Sequence, residues 1–574
     1  MQQPVTNDPK EHKGSLPPII PDIEQWPIYK LSTKRYEFIQ DIISSTNAQL
    51  LKSFPTTEAL LDELARTVYQ ERIRLTEKAW KADPEDEKEY WDELKKRLVR
   101  ISGITDDPKR QEEEAKEMLN SMISHYTNEI IGNFDPSIYE FASRALPFGF
   151  SRLLRSNLGI KFKEKLSQQF STHNRFIYEG DLESIRELAK SHTVIIVPTH
   201  ITNLDSMVIG WAIHEMGLPA FIYGAGLNLF GIRILAYFIE RLGAYKVDRR
   251  KKHPIYLETL KEYSTQALHD GVHSLFFPGG TRSRSGEIEK RLKLGLLGTA
   301  VDAQYLNYIK AEKEGNPESA KKIIVVPVTI SYHFVLEAPG LIDEHLKATG
   351  KEQYLVENDR FSTSFKMLSF IWKFFTKSSK IYLSYAPCMD LFGNQVTPDG
   401  KSIDKRGEEI DIKNYFLSGG ELKEDQQRNG EYVKLLGDVI VKKFHDYNVV
   451  FSSHMVSYVA FAMLKKRFRR HDLYDILRLP KEDRVIPYAD FAAAAERVRD
   501  RIYELEKEGK IITPRHFHEN GLDDLIQHGL DNVGLYHNAS TLMRNKDGDV
   551  TSEDLKLLLF YHNRLEGYQL AQYV

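Results

Sequence analysis

His200 and Asp205 stand five residues apart at the end of an apolar run, T-V-I-I-V-P-T-H-I-T-N-L-D. Val194 to Val197 have the apolar, β-branched character of a buried parallel strand, which Pro198 and Thr199 bring to an end. From Met207 to Ile213 the chain turns apolar again, as a helix does. Neighbours on one helix face lie three or four apart, so a pair five apart cannot share a face of one continuous helix. The spacing works if His200 sits on the turn and Asp205 on the first helical turn. Asp205 then accepts a hydrogen bond from one ring nitrogen and leaves the other free as a base. Such a base with its orienter needs no serine or cysteine nucleophile when the substrate brings its own hydroxyl.

Three further blocks follow in order. G-A-Y-K-V-D-R, from Gly243 to Arg249, reads as a strand whose end delivers Asp248, Arg249 and Arg250. F-F-P-G-G-T-R-S-R-S-G, from Phe276 to Gly286, carries a strand into a Pro-Gly-Gly turn beside Thr281, Arg282, Ser283 and Arg284. Glycine lets backbone approach a ligand closely, and arginine forks bind phosphate with two hydrogen bonds. I-I-V-V-P-V-T-I-S-Y, from Ile323 to Tyr332, is a long buried strand. Taken singly, each block has an ordinary reading: a chance His and Asp, a tight turn, a surface arginine, a core strand. Together, each at a strand end, they match an open α/β sheet that gathers its ligand at the carboxyl ends of its strands.

The elements that must hold these residues are legible around them. Strands are predicted at 193–198, 219–224, 244–248, 272–277, 323–332 and 380–386, alternating with helices. One helix opens near Pro254 and closes before Gly271. This predicts an α/β fold with a mainly parallel sheet flanked by helices. Before it lies a helical bundle, with Leu60, Leu61, Leu64, Val68 and Ile73 at helical spacing and Glu/Lys blocks read as solvated faces. After it lies a polar stretch and then a helical region. The expected divisions are a disordered tail 1–28, a helical region 29–170, the α/β domain 171–400 and a C-terminal helical region 401–574.

The composition narrows the class. The 574 residues carry 79 Lys and Arg against 82 Asp and Glu, a net charge of −3, so any anion site is local and a nucleic-acid partner is not expected. The single cysteine, Cys388, allows no internal disulfide and no cysteine metal cluster, as in a reducing cytoplasm. The N-terminus is polar and reads as no secretory signal. No window reaches the roughly 18 to 20 apolar residues that cross a bilayer, so contact with a membrane would be peripheral. Two segments suit such a surface: Phe365 to Lys380, and Val456 to Met463 followed by K-K-R-F-R-R. N-K-D-G-D-V-T-S-E-D, from Asn545 to Asp554, mimics a calcium loop, but Met543 breaks the register, leaving a turn and a helix cap at Thr551 or Ser552.

The ordered blocks resemble those of the glycerolipid acyltransferases: His-x4-Asp, Gly-x-x-x-Val-x-Arg, Phe-Pro-x-Gly-Thr-Arg-Ser and Val-Pro-Val. Within that group the chain is most similar to the glycerol-3-phosphate acyltransferases. The likeness extends to Asn228-Leu229 in G-A-G-L-N-L-F-G, to Y-N-V-V-F-S-S-H-M-V-S-Y and to L-L-L-F-Y-H-N-R-L-E. It implies that His200 is the general base and Asp205 its orienter. Arg249, Arg282 and Arg284 would bind the acceptor's phosphate, Gly280 and Thr281 would shape the loop around it, and Asn228 would join the substrate site. The fourth block would line the acyl-thioester channel. The sequence departs from the group at Gly279, where many members carry Glu, a residue to which the resemblance gives a loop-supporting role.

The reaction so implied moves a fatty acyl group from acyl-CoA or acyl-carrier protein to the sn-1 hydroxyl of glycerol 3-phosphate, the first step of phospholipid synthesis. Backbone N–H groups near the helix after His200 would stabilise the oxyanion. No metal or redox cofactor is required, and the enzyme would work at the cytoplasmic membrane surface. Dihydroxyacetone phosphate or a lysophospholipid as acceptor, and a non-catalytic acyl-thioester- or lipid-binding relative, are the alternatives.

Overall fold

The computed structural model describes residues 15–80, 82–143, 176–231, 233–349, 380–535 and 537–574. At its centre is a seven-stranded sheet: β1 (Phe176–Glu179), β2 (Thr193–Pro198), β3 (Ile222–Gly226), β4 (Ala244–Val247), β5 (Ser274–Leu275), β6 (Ile323–Ser331) and β7 (Ile381–Tyr385). The spatial order is β1-β7-β6-β2-β5-β3-β4. From β6 to β4 every pairing is parallel, with Thr193 opposite Ile323 through to Pro198 opposite Val328. β7 pairs antiparallel with β6 and parallel with β1, so these two strands run against the other five. The sheet is thus mainly parallel, as read from the sequence. β1 is a strand that the sequence reading did not include.

All residues of β2 and β6 are buried. A strand covered on both faces needs no polar alternation, which is why T-V-I-I-V-P is a continuous run. Val194 and Ile196 pack on one face of the sheet, Ile195 and Val197 on the other. β5 is shorter than expected because Pro278 and the glycine turn end it soon after Leu275.

In the N-terminal region, α1 (Arg35–Ser53), α2 (Thr57–Glu77), α3 (Glu87–Ser102) and α4 (Pro108–Ile130) form a bundle whose core is continuous with Tyr245 on β4. Around the sheet lie α5 (Leu182–Ser191), α6 (Asp205–Glu215), α7 (Pro254–His269), α8 (Gly295–Lys313) and α9 (Ala338–Thr349). Short hairpins span the polar stretch between Gln395 and Leu422. Beyond them come α10 (Gln426–Asp446), α11 (Ser452–Arg467), α12 (Tyr488–Lys507), α13 (Leu522–Asn532) and α14 (Leu555–His562).

Four sequence expectations need correction. Residues 15–28, expected to be disordered, pack against the α/β domain. Leu16 N–H donates to the Glu215 carbonyl and Ile19 N–H to that of Gly217, while Trp26 and Ile28 are buried. Val456 to Met463, the apolar half of one membrane candidate, is core apart from the half-buried Met463, because α11 is the buried helix around which α12, α13 and α14 pack, whereas the basic residues that follow, Lys465 to Arg467, Arg469 and Arg470, are exposed. The other membrane candidate, Phe365 to Lys380, lies outside the described residues apart from Lys380. The helix after the Asn545 turn is capped by Asp554, which accepts from Lys556 and Leu557 N–H, rather than by Thr551 or Ser552. Finally, Glu63, Glu71, Arg74 and Glu87 of the bundle are buried, although charge alone placed them in solvent. Among the described residues no helix is long and apolar enough to cross a membrane.

Candidate active site

The parallel strands send their carboxyl ends to one edge, and the site grows there. After β2 the chain turns at His200 and enters α6 at Asp205, where a carboxylate also meets the favourable end of the helix dipole. Asp205 is wholly buried. Its Oδ2 accepts Ile201 N–H at 2.6 Å and Thr202 N–H at 2.9 Å, and lies 2.9 Å from His200 Nδ1. Its Oδ1 accepts the Tyr332 hydroxyl at 2.6 Å from the end of β6. A carboxylate only accepts, so the imidazole donates from Nδ1 and keeps its lone pair on Nε2. Nε2 has no hydrogen-bond partner among the described residues. The ring is 13 % exposed and stacks on Phe277 at 4.1 Å.

Backbone contacts fix the turn from both sides. His200 N–H donates to Glu289 Oε1 at 2.7 Å, and Ser283 N–H donates to the His200 carbonyl at 2.7 Å. Glu337 accepts Thr202 Oγ1–H at 2.8 Å and Asn203 N–H at 3.0 Å. The N–H groups of residues 200 to 203 are therefore all engaged, and those of 201 to 203 do not serve as the oxyanion donors expected from the sequence.

Arg249 follows β4. Burial, and then the neighbouring charge of Arg282, press its pKa down from the ordinary guanidinium value. Among the described residues Arg249 pairs with no carboxylate, whereas Arg282 stands 3.8 Å from Glu337 Oε1. Two guanidiniums close enough for the charge of one to weaken the other's hold on its proton make a local positive site in a nearly neutral protein. Arg284 is not part of it: half-exposed, it reaches Glu344 on α9 at 3.4 Å. Gly280 holds φ at +75°, a left-handed conformation that glycine adopts without strain, and closes the turn through its N–H to the Phe277 carbonyl. Thr281 is exposed at the tip. Asn228 lies in the single 3-10 turn after β3, and its side chain is not among those described. The fourth block is core along its whole length, and Tyr332 at its end is what it presents to Asp205.

The residues around Arg249 are held from outside the sheet. Arg250 bridges Asp83 and Asp248 and lies over the Trp80 ring at 4.0 Å. Lys251 meets Glu129 and approaches Glu87 and Glu71 at 3.9 and 4.0 Å. His253 Nε2 is 2.9 Å from Glu71 Oε1. Arg74 joins Glu71 at 2.6 Å, Asp83 at 2.8 Å and Glu87 at 3.2 Å. Burial alone would raise the Glu71 pKa, but the His253 hydrogen bond and the Lys251 and Arg74 charges outweigh it and hold it at about 2. Glu87, His125 and Glu129 have the spacing of a metal site, yet the Lys251 ammonium already serves Glu87 and Glu129 as their cation.

Sequence reading did not single out Tyr332, Glu289, Glu337 or Arg564. Tyr332 did carry a signal, its place at the carboxyl end of a buried strand. Arg564 is buried after α14, donating from Nε to Asn448 Oδ1 at 2.9 Å and from Nη2 to the Ile330 carbonyl at 3.1 Å. Burial lowers its pKa, while its charge acts on Glu289, Asp205 and Tyr332. The C-terminal region thus reaches beneath the site.

Residues 180–331 match the family model described as Acyltransferase. Over 267 residues the chain is 24% identical to a glycerol-3-phosphate acyltransferase of Ectopseudomonas mendocina, covering 45% of this chain and 28% of that protein. Over 185 residues it is 28% identical to a glycerol-3-phosphate acyltransferase of Histophilus somni, covering 31% and 21%. The matches thus span less than a third of these relatives. A looser likeness, at 14% identity and a TM-score of 0.24, links it to the crystal structure of a 1-acyl-sn-glycerophosphate acyltransferase from Thermotoga maritima, covering 57% of this chain and 97% of that one.

Proposed function

We propose, on the premise that residues 180–331 form a domain of the acyltransferase family, that this protein acylates the sn-1 hydroxyl of glycerol 3-phosphate from an acyl thioester. The observation that carries this reading is an imidazole, anchored at Nδ1 and open at Nε2, on a turn tied by Ser283 N–H to the loop of Arg282, whose charge acts on Arg249.

In the proposed reaction the acceptor's phosphate binds Arg249 and Arg282, which brings its hydroxyl to Nε2. As the hydroxyl oxygen attacks the thioester carbonyl, its proton passes to Nε2, and the Asp205 carboxylate stabilises the imidazolium through Nδ1–H. The tetrahedral intermediate collapses, the C–S bond breaks and the leaving thiolate takes the proton back. General base catalysis of this kind contributes about 10²- to 10⁴-fold, and the phosphate clamp adds the benefit of positioning. With the N–H groups of Ile201 to Asn203 engaged, we assign oxyanion stabilisation to the Pro-Gly-Gly turn at Thr281, whose loop Ser283 N–H ties to the His200 carbonyl. The acyl donor is acyl-CoA or acyl-carrier protein. The product is amphiphilic, which supports work at a membrane surface.

Release of free thiol reports the reaction when the protein is mixed with acyl-CoA, or acyl-carrier protein, and one acceptor at a time. Release with glycerol 3-phosphate, and its loss in His200→Ala, are expected. Faster release with dihydroxyacetone phosphate or a lysophospholipid would reassign the acceptor. Undiminished release in His200→Ala would end the mechanism. No release with any pair would favour a binding protein.

A further inference from the structure

Gly279 and Gly280 are neighbours for different reasons. Gly280 needs its backbone conformation, whereas Gly279 does not have positive φ and needs space. A Cβ on Gly279 would lie 3.0 Å from Glu289 Cγ and 3.3 Å from Glu289 Oε1, closer than side chains ordinarily pack. The side chain that takes this room reaches back from ten residues downstream. One of its oxygens accepts the His200 N–H at 2.7 Å; the other is sealed from solvent and has no hydrogen-bond partner among the described residues.

We infer that Gly279 and Glu289 form one unit, in which the glycine vacates the space and the Glu289 carboxyl enters it to hold the backbone of His200. Glu289 is then a positioning residue: it touches the peptide of the proposed base, not the substrate. The departure at Gly279 acquires a physical sense, because a carboxyl stands in contact with that position without being attached to it. Burial raises the Glu289 pKa, with the His200 N–H opposing, and a glutamine copies the shape of the side chain while keeping an oxygen that accepts from His200. The kinetic side of this inference rests on the function proposed above, but the coupling between the two positions does not.

The test is a cycle of wild type, Gly279→Ala, Glu289→Ala and the double variant, with Glu289→Gln beside it. Losing the hold on His200 lowers kcat by about tenfold in Glu289→Ala, with KM for glycerol 3-phosphate within about twofold. Gly279→Ala pushes the carboxyl aside and falls comparably, while the double variant is no slower than Glu289→Ala alone. Glu289→Gln, whose amide oxygen still accepts, recovers most of the rate. Independent, multiplying losses, or wild-type kcat in Glu289→Ala, would overturn the unit. Thermal midpoints of the same four proteins read the coupling without any activity. A double variant as stable as Glu289→Ala supports it, and summed losses refute it. A wild type that releases no thiol while its midpoints still couple would fail the proposed function alone.

Discussion

The turn from Pro198 to Asp205 and the segment from Asp248 to His253 both hang from carboxyl ends of parallel strands, but they are fixed in opposite ways. The first is organised around one carboxylate, Asp205, which serves His200, two N–H groups and Tyr332. The second is gripped by another region altogether, with Glu71, Asp83, Glu87 and Glu129 of the bundle taking hold of Arg250, Lys251 and His253. Its neighbours thus committed, Arg249 is left without a carboxylate among the described residues. Polar groups in the turn serve the proposed chemistry, whereas those in the clasp serve placement. Substitutions in the two should therefore damage different measurements.

The largest effect is expected at the turn. Asp205→Asn can no longer accept at every contact or fix the Nδ1–H tautomer, so kcat in thiol release should fall by about 10²- to 10⁴-fold. Wild-type kcat in this variant would remove the base-and-orienter assignment. In the clasp, Arg74→Ala leaves Glu71, Asp83 and Glu87 with an uncompensated buried charge, at a cost of about 3–5 kcal/mol in urea unfolding. A loss below about 1 kcal/mol would mean that the clasp is no anchor. Smaller again is Arg249→Ala, which should raise KM for glycerol 3-phosphate by about 10- to 100-fold while leaving kcat nearly intact. Because burial and Arg282 already disfavour its charge, the thermal midpoint should hold or rise. A KM unchanged by this substitution would separate Arg249 from the acceptor.

The same contrast explains what the sequence disclosed. β2 and α7 were legible because an apolar run and a helix opened by proline and followed by glycine are local patterns, and the parts of the His200 turn lie within five residues. Glu289 was not, since nothing between it and Gly279 announces that one side chain fills the other's place. Charge itself misled in α2, where periodicity marked Leu60, Leu64 and Val68 as core but assigned the charged blocks to solvent. Glu71 is buried beside them because His253 reaches it from the segment after β4, far along the chain, and Arg74 because Glu71, Asp83 and Glu87 of the bundle close around it. Arg284 resembles Arg282 in sequence, yet only the fold decides that it turns to Glu344.

Acid should dismantle the two sides in a definite order. Beneath the turn, His454 accepts Phe451 N–H at Nδ1 and faces the Tyr332 carbonyl with Nε2 at 3.2 Å, an arrangement for a neutral ring. Burial, and then the Arg564 charge, depress its pKa to about 3, and burial with His528 depresses His516 to about 4. Below the ordinary histidine value of about 6.5 the unfolded chain binds protons that the native one refuses, so stability present above it is lost as pH falls toward these values. In the clasp, Glu71 is held at about 2, so its contribution is intact above about 4.5 and disappears only on further acidification. Between pH 6.5 and 4.5 the histidines should therefore dominate the fall of the urea midpoint over Glu71. Each such ring contributes a slope of up to about 1.4 kcal/mol per pH unit. Replacing His454 with Gln should make that slope shallower by about one proton's worth and leave the loss below pH 4.5 in place. An unchanged slope in His454→Gln would show that the turn does not lean on a neutral histidine.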